Sequence, residues 1–212
     1  MKNILFFSHN QKKIIEVKQI FKNNKTKVYD LNSFEKVIEP KETGKTFESN
    51  AKIKSKYGQK LFNIPCFADD SGFCVEALKN DPGVKSKRFL EKFSNNKKAF
   101  DYIISNVIKK QNNKAFFVTA ISLTLKENHH IIFLGKIYGT VSLEPKGSNG
   151  FGYDPIFVPY DLDSDGNSLP AGEYGELSTH GSPFGGVEVN LKKKFSHRSR
   201  ACLLYTSPSP RD

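Results

Sequence analysis

The sequence predicts a protein of the α/β class, and three features indicate it. The first is an opening apolar strand at 4–7, followed by a polar loop and a helical pattern. The second is an apolar run at 64–67 that leads directly into two acidic residues. The third is a pair of β-rich runs at 115–125 and 130–139. Strands that alternate with helices in this way typically build a sheet covered by helices.

The composition is that of a globular and strongly basic protein. Hydrophobic residues make up 37% of the 212 residues, and 33 basic against 22 acidic residues give a formal net charge of +11. This balance suits a polyanionic partner such as nucleic acid, a membrane surface or a phosphorylated small molecule. The lysines are scattered along the chain, however, which argues against nucleic acid as the default partner.

The cysteines and the first residues favour a cytoplasmic protein. The three cysteines, Cys66, Cys74 and Cys202, are odd in number and form no Cys-x-x-Cys, so neither a disulfide framework nor a zinc site is expected. The first apolar run is too short for a signal peptide, and no run approaches the length of a membrane span.

The first loop, residues 8–13, precedes a helix with apolar residues at mostly helical spacing. A helix N-terminus presents free N–H groups that suit a phosphate, and Ser8, Asn10 and Lys13 could add donors. The glycines of a P-loop are missing. An N-capped helix with a solvated lysine face explains the loop equally well.

The second helix is expected to start after Thr46, which can cap it, and to run to about Leu61. Asn50 and Lys54 are four residues apart and share one face of it. The residues expected to face the core are Phe47, Ala51, Tyr57 and Leu61.

A predicted strand, Ile64–Ala68, ends in Asp69-Asp70-Ser71-Gly72, which is expected to be a turn at the exposed carboxyl end. Ligands bind at that end in open α/β sheets. Two neighbouring carboxylates repel one another unless a cation or a proton lies between them. We therefore interpret Asp69 and Asp70 as a candidate Mg²⁺ and general-base site. An ordinary turn rich in Asp and Ser is the alternative.

The middle of the chain contains few candidate catalytic or binding residues. A turn is expected at 81–83, a helical turn at 86–89 and an amphipathic helix at 95–110. His129 and His130 lie at the tip of the predicted β-hairpin. Adjacent residues of a strand point to opposite faces, so this pair is a poor metal site.

Three further stretches follow the hairpin. The glycine-rich loop, residues 147–155, lets the backbone approach a ligand, and Phe151 could stack on a base. A turn with its aromatic residues in the core is the alternative. The irregular segment, residues 160–190, is a long excursion. The basic stretch 192–201 suggests a helix start capped by Ser196 that recognises an anion or a carbonyl, or else a solvated terminal helix.

Taken in order, these stretches resemble the motifs of the inosine triphosphate pyrophosphatase family over about residues 2–202. The matching blocks are the phosphate loop Ser8-His9-Asn10-Gln11-Lys12-Lys13; Glu42-Thr43-Gly44 with Thr46-Phe47, Asn50-Ala51 and Lys54; Ala68-Asp69-Asp70-Ser71-Gly72 with Pro82-Gly83-Val84; Gly150 to Phe157; and Ser196-His197-Arg198. Each block alone is weakly specific. Five blocks in the right order favour the family over the local alternatives.

The resemblance implies an α/β fold with a long, twisted mixed β-sheet, flanking helices and two lobes with a nucleotide cleft between them. It implies one domain over residues 1–202, with an unusual excursion at 160–190. It further implies hydrolysis of deaminated purine nucleoside triphosphates (ITP, dITP, XTP, dXTP) to the monophosphate and pyrophosphate, which clears them from the nucleotide pool. A cytoplasmic homodimer without a stable nucleic-acid or membrane partner is expected.

The resemblance also implies the site residues. Asp70 is the catalytic proton acceptor, and Asp70, Glu42 and Asp69 hold Mg²⁺, a hard cation that prefers oxygen ligands. The substrate-binding residues are Ser8, His9, Asn10, Gln11, Lys12, Lys13, Lys54, Ser71, Phe151, Gly152, Tyr153, Asp154, Lys192, His197 and Arg198. Phe151 would stack on the purine, and the last three would address its keto edge. The 6-amino group of adenine would leave those donors unpaired, at ~1–3 kcal/mol per buried group.

Three departures from the family pattern stand out. His9 and Lys12 replace small residues of the phosphate loop, so that loop is expected to differ in shape. Residues 179–190 look inserted, and the match of Lys192 rests on its spacing to Ser196 alone. Residues 203–212 resemble read-through of a sequencing adapter rather than the family's apolar closing helix, so we expect the native C-terminus to be missing.

Two other functions remain as alternatives. A Maf-type pyrophosphatase for pyrimidine or modified nucleotides would cleave dTTP or UTP faster than dITP. A basic nucleic-acid-binding module would show strong, salt-sensitive binding of DNA or RNA and no release of pyrophosphate.

Overall fold

The computed structural model describes residues 2–22, 26–127 and 129–206. The strands are β1 (Lys2–Phe6), β2 (Thr26–Asp30), β3 (Cys66–Val75), β4 (Lys114–Lys126), β5 (His129–Val141) and β6 (Phe157–Pro159). They form one six-stranded sheet in the order β2-β1-β3-β4-β5-β6. β1 is parallel to β2 and β3, whereas β6 is antiparallel to β5. The predicted α/β class with a mixed sheet is confirmed.

The helices are α1 (Gln11–Ile20), α2 (Phe47–Phe62), α3 (Ser86–Glu91), α4 (Asn96–Lys110), α5 (Val189–Phe195) and α6 (His197–Thr206). Within the described ranges, none is long and apolar enough to cross a membrane. The backbone of α6 extends into the predicted tail 203–212, of which residues 207–212 lie outside the described residues.

The chain forms two compact units. Unit 1 comprises Met1–Asp70, Thr119–Gly135 and Arg198–Asp212, and unit 2 comprises Ser71–Val118 and Lys136–His197. β3, β4 and β5 each contribute residues to both units. The nucleotide cleft that the resemblance implies stays a prediction.

Unit 1 buries apolar side chains on both faces of its strands. Consecutive residues of a strand alternate between faces, so Ile4 and Phe6 pack with Phe67 and with Ile14 of α1. The alternate residues of the same strands form a second cluster, which contains Leu5, Phe7, Leu31, Cys66 and Ala68.

Unit 2 has one large core, which is rich in phenylalanine. The side chains of α4 pack there against the strands of this unit. The buried aromatic residues of this core are Phe73, Phe100, Phe117, Tyr153, Phe157, Phe184 and Phe195. Aromatic rings bury a large apolar area each, so this cluster dominates the packing of the unit.

Two local expectations are wrong. The acidic stretch is not a turn: β3 continues through it to Val75, because both acids find buried polar partners that keep them in the strand. On α2, Tyr57 and Leu61 are 42% and 52% exposed rather than buried. The buried face of α2 carries smaller and polar residues instead, which are Asn50, Ala51, Lys54, Ser55 and Gly58.

The irregular segment contains little regular structure, as the sequence predicts. Leu162 makes isolated β-bridges with Ser168 and Leu177, and a 3₁₀ turn spans Phe184–Gly186. Phe184 nevertheless belongs to the core of unit 2. The segment therefore packs against the body of unit 2.

Candidate active site

Asp70 lies in β3 with its carboxylate buried in unit 1. Its Oδ2 accepts a hydrogen bond of 2.9 Å from Asn50 Nδ2 on α2. Asn50 Oδ1 accepts in turn from the backbone N–H of Gly44 at 2.8 Å. Burial raises the pKa of Asp70 to about 6, although Lys54 and the Asn50 hydrogen bond each lower it. A carboxylate with such a pKa is suited to accept a proton near neutral pH.

Lys54, one turn after Asn50 on α2, is buried and donates to Glu42 Oε1 at 2.8 Å. Burial by itself lowers the pKa of Lys54, but three neighbouring carboxylates together raise it above its ordinary value. They belong to Asp69, Glu42 and Asp70. Glu42 also raises the pKa of Asp70, so these two carboxylates share one electrostatic environment.

Asp69 is almost fully buried, and its Oδ2 lies 2.9 Å from Lys13 Nζ on α1. The same oxygen accepts from Arg198 Nε and Nη2 on α6, at 3.2 and 3.1 Å. Arg198 Nη1 donates to Glu16 on α1. Burial alone would raise the pKa of Asp69, but nearby cations, led by Lys13 and Arg198, hold that pKa well below its usual range. Asp69 is therefore an ionised member of a buried ion-pair cluster.

The two adjacent acids have different partners, because consecutive residues of a strand point to opposite faces. Asp70 contacts α2, whereas Asp69 contacts α1 and α6. The assignment of both acids to one Mg²⁺ and general-base site stays a prediction. Glu42 lies near enough to Asp70 to raise the pKa of that carboxyl.

The phosphate loop joins β1 to α1 in unit 1. Asn10 is the N-cap of α1, and its side chain accepts from the backbone N–H groups of Lys12 and Lys13. Ser8, which is buried, accepts from the N–H of Asn10 at 3.2 Å. Ser8, Asn10 and the Lys13 ammonium are thus brought to the start of one helix, where an anion is favoured.

Two residues of this loop, His9 and Gln11, are hydrogen-bonded to other parts of unit 1. The backbone N and the ring Nδ1 of His9 both lie 2.9 Å from Glu39 Oε1. Gln11 Oε1 accepts from Asn32 Nδ2 at 2.9 Å. Glu39 thus fixes the position of His9, which replaces a small residue of the family pattern.

The base-side residues that lie in unit 2 meet around one carboxylate. Asp154 Oδ2 accepts from the backbone N–H of Phe151 at 2.6 Å and pairs with Lys192 Nζ at 2.6 Å. The Lys192 ammonium also lies 5.3 Å from the centroid of the Phe151 ring. Asp154 and Lys192 are 5% and 17% exposed in their side chains, so the pair is largely shielded from water.

The other predicted base-side residues have different surroundings. Tyr153 is buried in the core, and its hydroxyl donates to the Ser86 carbonyl at 2.8 Å. The His197 ring stacks on Phe117, with centroids 5.0 Å apart and planes at 10°. The Arg198 guanidinium donates to Asp69 and Glu16 in unit 1, as described above. These contacts make Arg198 a partner of Asp69, and its role at the base stays a prediction.

The carboxylate oxygens of this region suit a cation whose remaining coordination positions are filled by substrate and water. In the described part of the chain, no three His, Cys, Asp or Glu side chains converge on one metal position. Mg²⁺ usually takes one or two carboxylates and fills its other positions with phosphate oxygens and water. Asp70 and Glu42 stay the predicted pair, and Glu42 lies near enough to raise the pKa of Asp70.

Three residues with structural importance for the site carried little signal in the sequence. Asn50 holds Asp70; its spacing to Lys54 and its place in the second matching block pointed to it, but neither gave it a role. Glu16 binds Arg198 from an ordinary position in the first helix. Phe184 lies under Lys192, at 5.5 Å from its ammonium, inside the segment that looked inserted.

Comparison with known proteins gives consistent results. The family model described as the Ham1 family matches residues 4–205. A dITP/XTP pyrophosphatase of Acholeplasma laidlawii is 40% identical over 176 residues, which cover 82% of each chain. A dITP/XTP pyrophosphatase of Staphylococcus epidermidis is 35% identical over 182 residues, which cover 86% of this chain and 92% of that protein. A Ham1 protein structure from Coxiella burnetii superposes with a TM-score of 0.78 at 28% identity, covering 98% of this chain and 100% of that one.

Proposed function

The chain belongs to the Ham1 family, and from this premise we propose that it is a nucleoside triphosphate pyrophosphatase. It hydrolyses deaminated purine nucleoside triphosphates, which are ITP, dITP, XTP and dXTP, to the monophosphate and pyrophosphate. The observation that carries the proposal is the buried Asp70 carboxylate beside Glu42 and Lys54, with its pKa raised to about 6.

Asp70 is the general base in this proposal. Its carboxylate accepts a proton from the water that attacks the phosphate chain, while the amide of Asn50 fixes the orientation of the carboxylate. Glu42 and Asp70 would hold Mg²⁺, which when bound neutralises charge on the phosphate oxygens. Asp69 supports the site through Lys13 and Arg198, and its contacts favour that role over direct metal coordination.

The remaining residues of unit 1 bind the triphosphate. Lys13 and Lys54 provide ammonium groups for phosphate oxygens, and both are held by carboxylates in defined positions. Ser8 and Asn10 add neutral groups at the start of α1, where the helix dipole favours an anion. The predicted contributions of His9, Gln11 and Lys12 belong to the same subsite, and Ser71, which lies in unit 2, stays a predicted substrate-binding residue.

The residues of unit 2 recognise the purine. Phe151 stacks on the base, and Lys192 donates to its 6-keto oxygen. Asp154 orients both, since one carboxylate oxygen binds the Phe151 N–H and the Lys192 ammonium. Adenine has an amino group at this position, so the Lys192 donor would lose its acceptor. Gly152, Tyr153 and His197 shape the surrounding pocket.

Mg²⁺ as the specific cation, a homodimer and a cytoplasmic location are part of the same proposal. They rest on the family resemblance, on the oxygen donors of Asp70 and Glu42, and on the cysteine pattern.

A substrate panel tests the function. The purified protein with Mg²⁺ is given dITP, ITP, XTP, dATP, dGTP, dTTP and UTP, and pyrophosphate is measured separately from phosphate. We expect pyrophosphate release to be fastest with the deaminated purines. Faster cleavage of dTTP or UTP would favour the Maf-type alternative, and salt-sensitive DNA binding without pyrophosphate release would favour the nucleic-acid-binding module.

The variant Asp70→Asn tests the catalytic assignment. It removes the proton acceptor but nearly preserves shape, so we expect kcat for dITP to fall by about 10²–10⁴-fold. Asp101→Asn, an exposed position on α4, is the matched control and should keep wild-type turnover. Wild-type turnover by Asp70→Asn would refute the assignment.

A further inference from the structure

Phe184 is a fully buried residue of the irregular segment that contacts the base-side ammonium. The Lys192 Nζ lies 5.5 Å from the centroid of the Phe184 ring and 5.3 Å from that of Phe151. The same ammonium is 2.6 Å from Asp154 Oδ2. Lys192 is therefore held by one carboxylate and two aromatic rings, and a cation near a ring is attracted to its electron-rich face.

Phe184 also reaches His197 through a shared stack. Its ring is nearly parallel to that of Phe117, at 16° with centroids 6.4 Å apart. Phe117 also stacks on His197, with the rings at 10° and their centroids 5.0 Å apart. Phe184 thus lies near Lys192 directly and shares the neighbour Phe117 with His197.

The backbone beside Phe184 fixes the glycine-rich loop. The Gly185 carbonyl accepts from the backbone N–H of Asn149 at 2.9 Å, and the Val187 carbonyl accepts from Asn149 Nδ2 at 3.2 Å. A Cβ on Gly147, whose φ is +75°, would lie 1.9 Å from the Gly185 carbonyl oxygen. The segment and the loop are therefore in close backbone contact just before Phe151.

We propose that Phe184 is a positioning residue that determines base specificity, by holding the Lys192 ammonium over Phe151 and beside Asp154. The segment 183–187 carries Phe184 and fixes the loop that carries Phe151, so both halves of the base subsite have one support. This inference rests on the proposed function, because it assumes that Lys192 meets the base.

Equilibrium binding of dITP in the presence of EDTA tests this role without hydrolysis. In Phe184→Leu the ring over the ammonium is lost, and we expect the Kd for dITP to rise about tenfold, while the Kd for dATP changes less than twofold. Phe100→Leu is the matched control: it lies in the same core at 5% exposure and should leave the Kd for dITP unchanged. Urea unfolding of both variants measures the packing loss that they share.

A double-mutant cycle with Lys192→Met separates positioning from packing. If Phe184 acts through Lys192, adding Phe184→Leu to Lys192→Met leaves the Kd for dITP unchanged. Two results would overturn the inference. One is that the double variant raises the Kd for dITP by the product of the two single effects. The other is that Phe184→Leu alone leaves this Kd unchanged. Phe184→Met also removes the ring but has an unbranched side chain that adapts to irregular core gaps, and it gives the same test if the Leu variant fails to fold.

The two proposals can fail separately. If wild-type protein releases pyrophosphate from dITP but Phe184→Leu binds dITP as tightly as wild type, only the positioning role is wrong. If wild-type protein releases no pyrophosphate from any purine triphosphate, while Phe184→Leu weakens the binding of dITP as expected, only the proposed reaction is wrong.

Discussion

Gly150 lies at a crowded point of the glycine-rich loop. Its φ is +79°, a conformation that side chains rarely adopt. A Cβ there would lie 2.0 Å from Asp154 Oδ2 and 2.9 Å from Lys192 Nζ. The residue is therefore glycine for two reasons, the backbone conformation and the ion pair directly above it.

Gly150→Ala should displace this ion pair and weaken substrate binding. We expect the Kd for dITP in EDTA to rise at least tenfold, about 1.4 kcal/mol, because Asp154 and Lys192 must both move. Gly166→Ala is the matched control, since its φ of +80° imposes the same backbone strain with no atom within 4 Å of the added Cβ. It should lower stability by a similar amount and leave the Kd unchanged. Equal affinities of the two variants would contradict the steric explanation.

A buried guanidinium links helix α6 to two other elements of unit 1. Arg198 is 1% exposed and joins α6 to Asp69 on β3 and to Glu16 on α1. Removing one member of a buried ion-pair cluster leaves uncompensated charge, which is more costly than the loss of the pair itself. Arg198 therefore has a structural task besides its predicted one at the base.

Arg198→Leu should lower the free energy of unfolding by about 3–5 kcal/mol, measured by urea titration. The leucine fills part of the space, but Asp69 and Glu16 lose a shared cation. Arg88→Leu on α3 makes the same chemical change at an exposed position and should alter the free energy by less than about 0.5 kcal/mol. A similar loss in both variants would argue against a buried anchor.

Element boundaries were easier to predict than the faces of the elements. Thr46 was expected to cap α2, and it does so through a capping box with Ser49. The inward face was predicted from Tyr57 and Leu61, yet Asn50 and Lys54 are buried there. Hydrophobicity indicates the core-facing side only where the core is apolar, and this side of α2 meets acidic groups.

The acidic stretch and the irregular segment show the same limit. Two adjacent acids at the end of an apolar run are typical of a turn, and only the partners of Asp69 and Asp70 explain why β3 continues. Phe184 stands in a segment without periodicity, so its contact with Lys192 depends on tertiary structure alone. The family resemblance predicted the site residues, whereas the residues that support them could be found only from the fold.

The net charge of +11 has two different components at the scale of the whole molecule. Lys13, Lys54, Lys192 and Arg198 are each paired with carboxylates in shielded positions. The proposed function assigns Lys13 and Lys54 to the triphosphate and Lys192 to the keto group, and Arg198 to the support of Asp69. The many exposed lysines are spread over the surface, where salt screens them, so they provide little specificity.

The reactivity of the three cysteine thiols shows whether each unit is folded. Cys66 and Cys202 lie in the cores of unit 1, and Cys74 lies buried in unit 2. Burial raises the pKa of Cys74 and of Cys202 to about 12 and raises the pKa of Cys66 well above its usual range. Since the thiolate is the reactive form, a raised pKa leaves almost none at pH 8. We expect no fast reaction of the native protein with DTNB, and three equivalents after unfolding in urea.

The order in which the thiols react tests whether the units unfold together. Cys66 and Cys74 lie on the same continuous strand, β3, with one in each unit. Because β3 is continuous, we expect loss of its pairing in one unit to disturb its residues in the other, and both thiols to become reactive over the same range of urea. Mass spectrometry of labelled peptides distinguishes them, and free cysteine in the same buffer gives the unprotected rate. Labelling of Cys74 at urea concentrations where Cys66 stays protected would mean that unit 2 opens independently of unit 1.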